Sequence, residues 1–169
     1  MSEEIINKVE KSGLIQFELT KYWPKVESVE YDIAADLWQG IALKEKDFRA
    51  KLKDTDWSIY ENKYVALHCS EDAIVPTWAF MLLTSYLKPV AKKVVFGNTR
   101  ALNNTIIAEV IDQLDLSPFQ DGRIIIKGCS DLDVDESAYV ELMNKLMPVA
   151  KSIMFGEPCS TVPLYKKKS

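Results

Sequence analysis

The 169-residue chain is poor in the residues on which several common chemistries depend. It has one histidine, His68, so a Ser-His-Asp triad has a single imidazole to draw on, and no GxSxG turn is present to expose a serine. None of its six glycines falls in a GxGxxG or GxxxxGK pattern, so no nucleotide cofactor is expected. The three cysteines form no CxxC pair. No apolar run approaches the roughly 20 residues that span a bilayer, and the start MSEEIINKVEKSG is too acidic and polar for a signal peptide; a cytoplasmic protein with no membrane partner is expected. Net charge is small: 21 Lys and Arg against 25 Asp and Glu give −4, which argues against nucleic acid as a partner.

What is present is enough for a packed core. At 47% hydrophobic and 27% charged residues, the chain is no disordered tail. Compared with itself, it shows an internal duplication. Lys63 to Gly97 (KYVALHCSEDAIVPTWAFMLLTSYLKPVAKKVVFG) matches Gly122 to Gly156 (GRIIIKGCSDLDVDESAYVELMNKLMPVAKSIMFG). The anchors are Cys69-Ser70 with Cys129-Ser130, Pro89-Val90-Ala91-Lys92 with Pro148-Val149-Ala150-Lys151, and Phe96-Gly97 with Phe155-Gly156. Each copy has the order of a βαβ unit. Tyr64 to His68 and Arg123 to Lys127 suit buried strands, and Lys93 to Phe96 and Ser152 to Phe155 suit the return strands. Between them, Ala138, Leu142, Leu146 and Val149 recur at helical spacing behind Asp135 as N-cap, and Pro89 and Pro148 mark the helix ends.

Thr99 to Leu114 carries Leu102, Ile106, Ile107, Val110 and Leu114 in a helix period. Upstream, Glu3 to Lys11 and Lys46 to Lys53 read as helices. Leu14 to Leu19 and Val26 to Ile33 read as a hairpin over Tyr22-Trp23-Pro24, and Leu37 to Leu43 as a further strand. The expected fold is a single α/β domain over residues 1–169. It has a mixed, largely parallel sheet with helices packed on it, built around two tandem βαβ repeats at 63–97 and 122–156, with an N-terminal elaboration over 1–56.

All three cysteines precede serine: Cys69-Ser70, Cys129-Ser130 and Cys159-Ser160. Two fall where the first strand of each repeat ends, and Cys159 lies three residues past Gly156. Loops at the carboxyl ends of parallel strands converge, so the three thiols are expected along one edge of one sheet. Thiolates are soft, charged ligands for zinc, iron or an iron-sulfur cluster, and Ser70, Ser130 and Ser160 would hydrogen-bond to the sulfurs. His68 is the candidate fourth ligand by type, although adjacent strand residues point to opposite faces. Asp72, Asp131 and Glu157 lie in the same loops. The plainer reading of each thiol is a small packed side chain, since cysteine is among the most buried residue types. Asp131, Asp133, Asp135 and Glu136 are explained by helix capping. The segment from Gly156 to Tyr165, stiffened by Pro158 and Pro163, either packs back over the sheet edge or completes a site there.

Lys44 to Arg49, His68-Cys69-Ser70, Asp72 to Trp78, Lys127 to Ser130 and Gly156 to Tyr165 together resemble a bacterial family classed as a domain of unknown function. The resemblance covers nearly the whole chain and implies no assigned activity. It does imply genes lying near those of a sulfur-mobilisation system for iron-sulfur cluster assembly, and hence iron-sulfur assembly proteins as partners. Three readings follow. The first is an accessory factor binding metal or an iron-sulfur species through Cys69, Cys129, Cys159 and His68. The second is a cysteine-dependent enzyme of the sulfurtransferase kind. The third is a non-catalytic scaffold with buried cysteines, which would self-associate, as a homodimer, through an exposed sheet edge.

Overall fold

A computed structural model describes residues 13–128 and 133–168. The expected helix over Glu3 to Lys11 lies outside the described residues, as do Cys129, Ser130 and Asp131. The chain is α/β, with mostly parallel strands accompanied by helices. It divides into two compact units, one comprising Pro24–Ile106 and the other the chain up to Trp23 and from Ile107 onward.

In the first unit, β2 (Ser28–Asp32), β3 (Tyr64–His68) and β4 (Lys93–Phe96) form a three-stranded sheet in that order. Both pairings are parallel. The run Val65-Ala66-Leu67 is buried, as a central parallel strand with both faces covered requires. Helix α3 (Thr77–Leu87) buries Ala79, Leu83 and Leu87, a spacing of four that keeps one face on the core. Helix α2 (Glu45–Asp54) contributes Phe48 and Leu52 to the same core.

In the second unit, β1 (Leu14–Phe17), β5 (Arg123–Ile126), β6 (Ser152–Glu157) and β7 (Ser160–Lys166) form a four-stranded sheet in that order. The pairings of β1 with β5 and of β5 with β6 are parallel, and β6 with β7 is antiparallel. Helix α5 (Glu136–Leu146) buries Ala138, Leu142 and Leu146. Helix α4 (Thr99–Asp112) supplies Ile107 and Ile111 to this core. Among the described residues, no helix is long and apolar enough to cross a membrane.

Several expectations are corrected. The strands belong to two sheets and not to one. The hairpin over Tyr22-Trp23-Pro24 does not form. Leu19–Tyr22 is one turn of helix, α1, with Tyr22 stacked back on Phe17 at 4.8 Å, and β1 and β2 pair with different parallel partners. Leu37 to Leu43 is a tight turn, not a strand. Gln39 and Gly40 take positive φ values of 53° and 69°, and only isolated bridges join Trp38 to Ala42 and Ala42 to Ile74.

Candidate functional site

The carboxyl ends of β2 and β3 gather a polar cluster. Asp32 and His68 are register partners across the two strands, and Glu30 lies two residues before Asp32 on the same face. Glu30 Oε1 accepts from the Thr99 backbone N–H at 2.8 Å and from its hydroxyl at 2.6 Å, so the carboxylate caps the start of α4. These two bonds, with smaller help from His68, hold the Glu30 carboxyl below its ordinary value. His68 Nε2 is buried 3.3 Å from Glu30 Oε2 but makes no directed hydrogen bond. The contact is therefore one of proximity, not of aligned donor and acceptor.

Asp32 Oδ1 accepts from the backbone N–H of Ala34 and of Ser70, each at 3.0 Å. Burial works to raise the Asp32 carboxyl, and the bonds from Ser70 and Ala34 outweigh it, so it sits below its ordinary value. A neighbouring cleft of about 260 Å3 is lined by Glu30, Asp32, Asp36, Lys51 and Tyr60. Asp36 is held there by Lys51 and by the Tyr31 hydroxyl, which donates to Oδ2 at 2.8 Å. Burial, then Asp36, pushes the Tyr31 phenol upward.

Cys69 and His68 are adjacent but differently engaged. The Cys69 thiol donates to the Glu71 carbonyl at 3.4 Å, and its side chain packs at the margin of the apolar core that holds Leu67 and Ala79. Ser70 turns to Asp32. Cys159 stands with Pro158 at the tip of the β6–β7 hairpin, where Glu157 pairs with Ser160. The expectation of buried cysteines is corrected: Cys69 is half-buried and Cys159 is exposed. The segment from Gly156 to Tyr165 is mostly strand, which packs along the edge of β6. Cys69 belongs to the three-stranded unit and Cys159 to the four-stranded one, so one sheet edge does not carry both. Among the described residues, no group of three or more His, Cys, Asp and Glu side chains is arranged to hold a metal ion.

The exposed sheet edge expected from the sequence was not located there. The edge of β4 that has no strand partner among the described residues borders a largely apolar groove of about 510 Å3, lined by Leu67, Phe80, Met81, Val94 and Phe96. Phe96 is 69% exposed and Met81 68%, side chains that water does not favour at a surface. The signal that could have found it is a contrast. After β4 the chain runs straight into α4, whereas after β6 it returns as β7.

The chain belongs to the family described as protein of unknown function (DUF2480), whose model matches residues 3–167. No curated protein and no solved structure matches it significantly.

Proposed function

Starting from a family that brings no assigned activity, we propose that this protein is a non-catalytic scaffold that docks through the apolar edge of its three-stranded unit. One observation carries the reading: Phe96, Met81 and Phe80 gather beside a strand whose outer edge has no partner among the described residues. An unpaired strand edge is a template for another strand, and natural proteins blunt such edges unless they use them. We further propose that Lys63 to Gly97 and Gly122 to Gly156 are copies of one βαβ unit. Their common element order, the 59-residue spacing of Leu83 and Leu142, and the like aromatic pairs Phe80–Phe96 and Tyr139–Phe155 support that reading.

A second reading stays in play on a specific observation. The Lys127 ammonium lies 3.2 Å from the Glu157 carboxylate, tying together the strand ends that lead in sequence to Cys129 and Cys159. It supports an accessory factor in the cytoplasm, in which Cys129 and Cys159 take zinc, iron or an iron-sulfur species and work with iron-sulfur assembly proteins; Cys69 and His68, the other expected ligands, belong to the other unit. Ser70, Ser130 and Ser160 would support the sulfurs. The sulfurtransferase reading draws less support, since the thiol of Cys69 is engaged with a carbonyl and not with His68.

Anaerobic purification followed by metal and acid-labile sulfide analysis separates the two readings. The scaffold predicts no stoichiometric metal or sulfide, and a Cys69→Ser, Cys129→Ser, Cys159→Ser variant that melts as the parent does. Stoichiometric metal lost from that variant would replace the scaffold with the accessory factor.

A further inference from the structure

We infer that the occupant of the β4 edge is a second copy of this chain, paired antiparallel β4 to β4 in a two-fold dimer. The inference rests on the scaffold reading and names its partner. On the repeat reading, β4 corresponds to β6, and β6 has what β4 lacks among the described residues: an antiparallel strand, β7, along its outer edge. The consequence shows in the matched aromatics. Phe155, opposite Val162 of β7, is 37% exposed, and Phe96 is 69% exposed. The same edge geometry is thus seen filled in one unit and open in the other, and the filling strand is antiparallel.

The direction of the backbone groups fixes the register. Lys93 N–H and Gly97 N–H donate toward β3, to Lys63 and Leu67 carbonyls, so by strand alternation Val94 and Phe96 turn their N–H and C=O outward. In an antiparallel pair, such outward groups bond when the residues stand directly opposite. A two-fold axis beside Val95 sets Val94 of one copy opposite Phe96 of the other, with both bonds exchanged, and does so twice. Val95 then faces its own counterpart in a non-hydrogen-bonded position. Val94 and Phe96 both border the groove, so each Phe96 ring lies over the partner's Val94 and the two grooves become one covered apolar surface.

Charge selects the orientation. Lys92 and Lys93 lie at one end of the strand, and Gly97 and Asn98 at the other. Antiparallel pairing in this register puts Lys92 opposite Asn98, whereas parallel self-pairing would set Lys92 beside Lys92. Two identical open edges satisfy each other in a closed dimer, the commonest soluble symmetry, and leave β2 as the outer strand on each side.

The test uses the full chain. Light scattering after gel filtration should give twice the 19.2 kDa chain mass, and Phe96→Lys should weaken dimerisation at least about tenfold, because a lysine there brings an unpaired charge to the apolar contact. In a background with Cys69, Cys129 and Cys159 changed to serine, Val95→Cys should cross-link to a covalent dimer under oxidised glutathione. Non-hydrogen-bonded antiparallel partners lie about 4.5 Å apart, within disulfide reach. Lys92→Cys in the same background should not cross-link. A chain that is monomeric at every concentration overturns the inference, and so does a dimer that fails to cross-link at position 95. Neither result touches the metal analysis, on which the scaffold reading is judged separately.

Discussion

Phe80 on α3 and Phe96 on β4 meet edge to face, their ring centroids 4.9 Å apart and their planes at 79°. The contact joins the helix to the open strand, and both rings line the groove, so it bears on both the stability of that edge and its shape. Edge-to-face pairs contribute about 0.5–1.5 kcal/mol beyond the area they bury. A double-mutant cycle of Phe80→Leu and Phe96→Leu, read by urea unfolding at a dilution where the dimer has dissociated, should return a coupling of roughly 1 kcal/mol. Strict additivity would show that the rings are neighbours without interaction.

The β6–β7 hairpin depends on Gly156. Its φ of 119° is open to glycine alone among ordinary residues, and a Cβ there would sit 2.5 Å from the Ser160 carbonyl oxygen. Gly156→Ala should cost more than about 1 kcal/mol and raise amide exchange from Ser160 to Lys166. An alanine variant with unchanged melting and exchange would mean that the turn tolerates a side chain.

Glu30 links the sheet edge to α4. Its folded carboxyl titrates below the ordinary value of 4.5, chiefly because the Thr99 hydroxyl and then the Thr99 N–H donate to it. A depressed acid favours the folded state above the ordinary carboxylate value, and that contribution is lost as the pH falls through the folded value. Thr99→Val removes the hydroxyl and keeps the N–H. By carboxyl NMR, the Glu30 titration should then move up toward 4.5, and the variant should lose less stability on acidification than the parent. An unmoved titration would assign the depression to another group.

The two described thiols should differ in reactivity through access. Cys159, exposed on the hairpin tip, should be alkylated fast by iodoacetamide, and Cys69, half-buried beside the core, more slowly. A mass-spectrometric time course reads both sites, and equal rates would remove the packing role assigned to Cys69.

The elements that bury continuous apolar runs were legible in the chain. Tyr64–His68 and Lys93–Phe96 stand where periodicity put them, and α3 and α5 end before Pro89 and Pro148. Pairing was not legible. A short apolar strand such as Leu14–Phe17 fits a hairpin or a parallel sheet equally well, and only the partner, here Arg123–Ile126, decides. The site was misjudged for a related reason. Cysteine spacing reports chemistry only if the strands share a sheet, and β3 and β6 do not. Glu30 and Thr99 are 69 residues apart, so no local pattern could join them.

Amide hydrogen exchange at Val94 and Phe96, followed as the protein is diluted, tests the docking edge most directly. A β4-to-β4 dimer has N–H groups that exchange slowly in concentrated solution and fast once diluted, with both fast throughout in Phe96→Lys. Exchange that is fast at every concentration in the parent chain would contradict it, since those two N–H groups would then have no strand to bond.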